Sequence, residues 1–272
     1  MNTFSLLMEQ LNKDNINIQT FVLYHGGEPF LNKDFFTFAA EIRARFPKSF
    51  IKTVSNGSLF SSDLVQRIAN SALDLIQISI DSTSFKQSDL IRRGSNSQEV
   101  ALWVNTLMKE IKSQRSKLSV EISSTQFLDQ RNSDLDPFTD LPDASWLNDF
   151  FGEDMVLRTV WAMQWPRMEL DDSYEVVTRR DPAINGPYKN SCKHLEDTIT
   201  VRSDGTVVPC CYDLLSDLNM GSIHQKSILD IWKSTTYEKL RMDVKNMNPC
   251  KTCSACNTIR RDKTFLCRSQ SQ

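Results

Sequence analysis

The amino-acid sequence predicts an α/β fold in which strand and helix units repeat on a parallel sheet, followed by a smaller α+β region. From residue 19 onward, short apolar runs alternate with longer amphipathic runs, which is the pattern of repeated βα units. All seven cysteines lie from Cys192 onward, after a polar segment that contains Pro182, Gly186 and Pro187. The sequence therefore predicts two parts with different chemistry.

Five apolar segments rich in Val, Ile, Leu and Thr predict the strands of the sheet. They are residues 18–24, 49–55, 73–80, 117–124 and 155–162. Three helices are predicted between these strands, over residues 32–46 with an Asn cap, 61–71 with a Ser cap, and 96–114 with apolar positions near helical spacing.

The second part carries signals of shorter elements. Residues 129–143 and 171–191 are polar and contain prolines, so both are predicted to be loops. The run Ser203-Asp204-Gly205 between two alternating segments predicts a β-hairpin. Apolar positions over residues 226–244 predict a helix that ends before Asn248-Pro249. The predicted domains are residues 1–170, a linker at 171–190, and residues 191–272.

Composition and charge exclude several classes of partner. The 272 residues are 40% apolar and 24% charged with a formal net charge of -2, so no electrostatic footprint for nucleic acid is present. No apolar run approaches the length that a membrane span requires, and residues 1–15 show neither a basic leader nor a signal-peptide apolar block. A cytoplasmic protein without nucleic-acid or membrane partners is predicted.

Polar residues follow the predicted strands at the points where the strands end. Because the carboxyl ends of parallel strands meet at one edge, these side chains are expected to surround one small molecule rich in hydroxyl and amine groups. The four segments are Gly26-Gly27-Glu28-Pro29, Ser55-Asn56-Gly57, Ser79-Ile80-Asp81-Ser82 and Ser123-Ser124-Thr125-Gln126. The two glycines permit close backbone approach, and Glu28 offers an acceptor for an ammonium group.

The cysteine spacing predicts a metal site. An odd number of cysteines in a chain without a leader, with Cys-x-x-Cys spacing, favours metal ligation over disulfides. Thiolates suit iron–sulfur clusters, and a Cys-x-x-Cys turn presents two sulfurs to one cluster. Zinc held by the same thiolates is the alternative.

The GGEP turn at residues 26–29 and the polar strand ends resemble the radical S-adenosylmethionine (SAM) superfamily. The resemblance implies a partial (β/α)6 barrel whose first strand is missing, and SAM as a cofactor. It assigns Gly26, Gly27 and Glu28 to the methionine amine of SAM, with Ser55 and Asn56 bordering it. It further implies that polar groups approach the ribose or the carboxylate of SAM, namely Ser79, Asp81 and Ser123, with Arg93 near the cofactor.

The C-terminal cysteines resemble the SPASM and the shorter Twitch domains of that superfamily. Cys192 is followed after twelve residues by Gly205 and after four more by Cys210, and a later Cys-x-x-Cys supplies two further ligands. The resemblance implies one auxiliary 4Fe-4S cluster on Cys192, Cys210, Cys250 and Cys253. Cys253 with Cys256 is the alternative pair.

The superfamily's Cys-x-x-x-Cys-x-x-Cys signature is absent, since no cysteine precedes Cys192. We interpret this as a missing N-terminal segment. Either the start of the chain has been truncated or assigned to an internal methionine, or the chain is a natural remnant. The expected function is generation of a 5′-deoxyadenosyl radical that takes hydrogen from a small-molecule or peptide substrate, with the auxiliary cluster assisting oxidation. The alternative is an inactive binding or scaffold partner of a peptide or a full-length enzyme. A missing strand leaves a sheet edge that a partner protein would cover.

Overall fold

The computed structural model describes residues 2–128 and 135–268. Within them the chain forms two compact units, one made of residues 18–127 and 135–161, the other of residues 2–17, 128 and 162–268. The domain boundaries predicted from the sequence stay predictions.

Ten helices and ten strands are labelled here in chain order. The helices are α1 (Thr3–Lys13), α2 (Phe35–Arg45), α3 (Ser62–Ala69), α4 (Phe85–Ile91), α5 (Ser97–Gln114), α6 (Asn148–Phe151), α7 (Lys193–Asp197), α8 (Ile228–Trp232), α9 (Thr235–Lys245) and α10 (Lys251–Ser254), all within the described residues. The strands are β1 (Thr20–Val22), β2 (Phe50–Ser55), β3 (Leu75–Ser79), β4 (Ser119–Gln126), β5 (Val156–Trp161), β6 (Tyr174–Arg180), β7 (Thr200–Val201), β8 (Thr206–Val208), β9 (Gly221–Ser222) and β10 (Asp262–Arg268).

The first unit is built on a parallel sheet in the order β1-β2-β3-β4-β5. All five strands predicted from the sequence are confirmed. Among the described residues β1 pairs only with β2 and β5 only with β4, so both are edge strands. The order equals the chain order, and therefore every strand ends at the same edge of the sheet.

Helix capping in this unit agrees with the sequence at two of three positions. The Ser61 hydroxyl accepts a hydrogen bond from Leu64 N, and the Asn96 side chain accepts one from Glu99 N. The predicted Asn cap of α2 is wrong. Asn32 Oδ1 instead accepts from Asp34 N at 3.0 Å, and the helix begins after Asp34 without a side-chain cap. Helix α4 was not predicted.

The two faces of the parallel sheet differ in polarity. One face is fully buried and mainly apolar, for example at Ile51, Ile76 and Ile122, and its buried polar members are Thr53, Ser55, Ser124 and Gln126. Alternate residues point to the opposite face, which carries polar and charged side chains on four neighbouring strands. These are Lys52, Gln77, Ser79, Glu121, Ser123 and Arg158. Parallel sheets are usually apolar on both faces, so the polar face is exceptional and suits a ligand.

The second unit holds two antiparallel sheets. The predicted hairpin is confirmed as β7 and β8, with Gly205 at φ +85° in the turn. The loop predicted over residues 171–191 is wrong at Tyr174–Arg180, which pairs along its length with β10. Of the other predicted loop, residues 129–134 lie outside the described part, and residues 135–143 contain no helix or strand.

The helix predicted over residues 226–244 is two helices in the structure. Helix α8 ends at Trp232, and the Ser234 hydroxyl accepts from Tyr237 N to begin α9. A serine that caps a new helix therefore interrupts a continuous apolar periodicity. Helix α1 packs on α8 in this unit, where the Gln10 side chain bonds to Ile223 O and Ile228 N. No described helix has the length and apolarity needed to cross a membrane.

Candidate cofactor sites

Glu28 joins the turn after β1 to the end of β2. Its carboxylate accepts hydrogen bonds from the Ser55 hydroxyl at 2.9 Å and from Asn56 N at 2.9 Å. It also accepts from Phe30 N at 3.3 Å within its own turn. The Glu28 carboxylate thus links the turn after β1 to the end of β2. Hydrogen bonds to a carboxylate are stronger than those between neutral groups.

The glycine backbone beside Glu28 is open to a ligand. Gly26 adopts φ +65°, a conformation that favours glycine. Both Gly26 and Gly27 are exposed, and no protein atom lies within 4 Å of the position that a Cβ on Gly27 would take. The structure therefore leaves room at the turn, and the residues fit a small cofactor that meets exposed main-chain groups.

Ser55 and Asn56 contribute mainly to the shape of this edge. Ser55 is 2% exposed, and besides its bond to Glu28 its hydroxyl accepts from Gly57 N at 3.0 Å. Asn56 Oδ1 accepts from Ser58 N at 2.8 Å. Gly57 has φ +72°, and a Cβ there would lie 2.5 Å from Val100 of α5. Only glycine fits where α5 crosses the end of β2.

The next two strand ends are joined by Asp81. Its carboxylate accepts from Arg92 Nε and from Thr125 N, each at 2.8 Å, and the side chain is 5% exposed. Because both oxygens are engaged by the protein, we place Asp81 behind the edge as a positioning group. Arg93, adjacent to Arg92, is exposed.

Ser79 and Ser123 lie side by side on the polar face of the sheet. They are register partners of β3 and β4, and both are half-buried. One step back along the same strands, Gln77 Nε2 donates to Glu121 Oε2 at 2.7 Å. Lys52, Gln77, Glu121 and Arg158 were missed by sequence reasoning, which considered only strand ends. The sequence could have indicated these residues, because each is the polar member of an alternating strand pattern.

Four thiols of the second unit line one cavity, which we call the thiol cavity. They are those of Cys192, Cys210, Cys253 and Cys256. Leu195, Val244 and Ile259 form apolar parts of the wall, and His194 and Tyr212 also line it. Cys192 directly precedes α7, Cys210 follows the hairpin strand β8, Cys253 lies in α10, and Cys256 follows that helix. Segments distant in sequence thus converge on one apolar space.

Cys250 does not line the thiol cavity. Its thiol is hydrogen-bonded to that of Cys253, which lowers the pKa of Cys250 to about 6. The same contact, together with burial, raises the pKa of Cys253. Cys250 nevertheless packs, together with Cys192 and Cys253, against the apolar cluster that includes Leu195, Val244 and Ile259 of the cavity wall. The ligand pair therefore stays a prediction, either Cys250 with Cys253 or Cys253 with Cys256.

Burial also raises the pKa of Cys192, and it raises the pKa of Cys210 to about 12. The nearby Cys256 adds to the rise in both. A cluster binds thiolates, so loading the cavity releases protons from these groups. The raised pKa values describe the metal-free protein only.

A pH dependence of the metal-free protein follows from Cys210. The pKa of the Cys210 thiol is higher in the folded chain than in the unfolded chain, so the folded chain holds the thiol proton more tightly. The stability that this contributes to the folded state is present below about pH 9 and is lost as the pH rises toward 12. We expect the unfolding free energy of wild type relative to Cys210→Ala to fall by roughly 3 kcal/mol between about pH 8 and pH 11. Urea unfolding of both proteins with chelator and reductant measures this difference, and a constant difference would contradict the shift.

The donor set of the thiol cavity suits an iron–sulfur cluster. Four thiols lie on the wall of one cavity, and thiolates are the ligands that such a cluster uses. Zinc binds sulfur at about 2.3 Å and needs ligands that converge closely. Within residues 2–128 and 135–268, no three His, Cys, Asp or Glu side chains are placed to hold one metal ion.

Two family models match the chain at these two sites. The model of the radical SAM superfamily matches residues 6–120, and the SPASM model, described as an iron–sulfur cluster-binding domain, matches residues 192–257. The chain is a radical SAM superfamily protein with a SPASM domain. The resemblance inferred from the GGEP turn and the cysteines is confirmed. Chains with these domains use SAM and an iron–sulfur cluster as cofactors.

Known proteins are similar to this chain in sequence or in fold. The radical SAM SPASM protein is 23% identical to the tungsten-containing aldehyde ferredoxin oxidoreductase cofactor-modifying protein of Pyrococcus furiosus, over 88% of this chain and 76% of the relative. Its fold is similar to that of anSMEcpe with bound AdoMet and a Cp18Cys peptide, with a TM-score of 0.58, 14% identity, and 95% and 80% of the two chains covered. It is also similar to BtrN in complex with AdoMet and 2-DOIA, with a TM-score of 0.52, 16% identity, and 94% and 78% covered. The fold is the partial radical SAM barrel with a small α+β domain.

Proposed function

We propose that this chain is part of a radical SAM modifying enzyme. It binds SAM at the carboxyl edge of the parallel sheet and a 4Fe-4S cluster in the thiol cavity. The observation that carries the proposal is the polar sheet face that ends at the exposed Gly26-Gly27 backbone, with Glu28 fixed by Ser55 and Asn56. Such a face is unusual in a parallel sheet, and its polar groups offer hydrogen bonds to a polar nucleoside.

The residues of the edge divide into binding and supporting groups. Gly26 and Gly27 present main-chain groups to the methionine amine, and the Glu28 carboxylate holds their turn in place. Ser79 and Ser123 present hydroxyls to the ribose or carboxylate from neighbouring strands. Asp81 fixes the distance between the ends of β3 and β4. Arg93 stays a proposed neighbour of the cofactor.

The cluster ligands that we propose are the four thiols of the thiol cavity, Cys192, Cys210, Cys253 and Cys256. The apolar wall limits the access of water, which together with hydrogen bonding and net charge sets the potential of such a cluster. On receiving one electron from a low-potential donor, bound SAM would release methionine and supply a 5′-deoxyadenosyl radical for hydrogen abstraction, and the bound cluster would accept the electron that the substrate radical loses. This chain orients the groups and excludes water.

The substrate class that we propose is a peptide or a small polar molecule. Two similar structures hold a peptide and 2-DOIA, and the curated relative is named for modifying a cofactor. In this chain Lys52, Glu121 and Arg158 place charges of both signs on the polar face. A substrate with ionic groups matches that surface. The edge of β1 stays the proposed place for a covering strand or partner.

Binding of SAM tests the proposal directly on this chain, whose residues include no Cys-x-x-x-Cys-x-x-Cys set. We expect saturable SAM binding by calorimetry in the cluster-loaded protein. Glu28→Ala is expected to weaken it about tenfold or more, because three donors lose their common acceptor and the glycine turn is released.

Glu41→Ala is the matched control. Glu41 pairs only with Arg45 on the surface of α2, so its loss is expected to leave SAM affinity and stability unchanged. Unchanged affinity in Glu28→Ala would remove Glu28 from the site. An absence of saturable SAM binding in wild type would favour the scaffold function over the enzyme.

A further inference from the structure

Among the described residues, Arg241 of α9 is a half-buried cation without an anionic partner. Its Nε donates to Leu195 O at 2.8 Å and its Nη1 to Trp232 O at 2.9 Å. Its Nη2 atom is buried and meets no hydrogen-bond acceptor among the described residues. A charged donor that is cut off from water in this way is costly unless some negative charge compensates it.

Aromatic rings hold the guanidinium from two sides. Its Cζ lies 4.0 Å from the ring centroid of Trp232 and 4.2 Å from that of Tyr237. Cation–π contacts stabilise a desolvated cation through the negative face of the ring. They fix the position of the charge, but they do not neutralise it.

The position of Arg241 relates it to the thiol cavity. Leu195, whose carbonyl accepts from Arg241, lines that cavity three residues after Cys192. Val244, one turn further along α9, lines it as well. Tyr237, stacked on Arg241, has its hydroxyl 3.4 Å from the carbonyl of Pro209, the residue before Cys210. Helix α9 thus contacts the segments that carry two of the proposed cluster ligands, and Arg241 is hydrogen-bonded to a residue of the cavity wall.

We propose that Arg241 is the counter-charge of the SPASM cluster and raises its reduction potential. Four thiolates give a bound cluster a net negative charge, which grows by one electron on reduction. A fixed cation nearby therefore favours the reduced form more than the oxidised form. The inference rests on the proposed cluster in the thiol cavity. Arg241 acts as a positioning and charge-setting residue, not as a ligand.

Redox titration followed by electron paramagnetic resonance tests the proposal in the cluster-loaded chain. Arg241→Gln is expected to shift the midpoint potential to more negative values at unchanged iron content, and Arg241→Lys is expected to stay near wild type. Lys239→Gln is the control, because Lys239 is 75% exposed and pairs with Asp243 on the surface of the same helix. If Arg241 had a purely structural role, its substitutions would change the iron content, and the midpoint potential would not follow the charge at position 241.

Arg241→His provides a second test within one folded protein. Its midpoint potential is expected to fall as the pH rises through the imidazole range near about 6.5, beyond any slope of wild type. Equal midpoint potentials in wild type, Arg241→Gln and Arg241→His at all pH values would overturn the role proposed for Arg241 but not the cluster proposal. A wild-type chain that takes up no iron–sulfur cluster would overturn the cluster proposal and this inference with it.

Discussion

Cys256→Ala is expected to lose the iron–sulfur cluster, whereas Cys250→Ala is expected to keep it. Cys256 lines the thiol cavity together with Cys192, Cys210 and Cys253, and Cys250 does not. The proposed cluster is ligated by four thiolates, so removal of one is expected to lower the iron content well below about four per chain. Anaerobic reconstitution followed by iron and sulfide analysis measures the difference.

The comparison of these two variants is well matched. Both thiols are half-buried, and each is one Cys-x-x-Cys step from Cys253. The SPASM match contains both, so family membership does not choose between them. Loss of iron in Cys250→Ala with retention in Cys256→Ala would restore the pair Cys250 and Cys253. Retention in both would contradict a cluster that requires either position.

Asp81→Ala is expected to destabilise the first unit by about 3 to 5 kcal/mol. The carboxylate is 5% exposed and accepts from Arg92 Nε and Thr125 N. Its removal leaves the Arg92 charge without this partner and the Thr125 amide without its acceptor, which costs more than the pair itself contributes. Urea unfolding monitored by circular dichroism measures the loss.

Asp63→Ala is the control for this prediction. The Asp63 side chain is 80% exposed and lies 3.9 Å from Arg67 within α3, so its removal is expected to change stability by less than about 0.5 kcal/mol. A similar small effect for Asp81→Ala would show that the ends of β3 and β4 do not depend on the carboxylate. Asp81 would then be free to contact a ligand.

Local sequence patterns predicted most of the first unit correctly. Strand residues alternate or run apolar over lengths that suit a buried parallel sheet, and this property needs no tertiary context. Helix starts at Ser61 and Asn96 were predictable because the cap bond spans three residues. The predicted cap at Asn32 was wrong because an Asn side chain can accept a hydrogen bond within a turn as well as at the start of a helix.

Long-range pairing decided the elements that were missed. Strand β6 lies in a polar segment, and its partner β10 is more than eighty residues away in the chain. Its strand conformation depends on that pairing, because alternate side chains remain exposed and no apolar pattern marks it. The break between α8 and α9 likewise depends on where Tyr237 packs, fully buried against the hairpin.

The sequence by itself determined the fold class, the family and the two motifs on which the proposed cofactor sites rest. Motif chemistry and spacing are local properties, so the GGEP turn and the cysteine run were readable without a structure. Only the tertiary structure showed which residues lie together. It bonds Asp81 to Arg92, leaves space beside Gly27, and brings Cys256 to one cavity wall with Cys192, Cys210 and Cys253. Such choices depend on distances between segments far apart in the chain, and spacing along the sequence does not contain them.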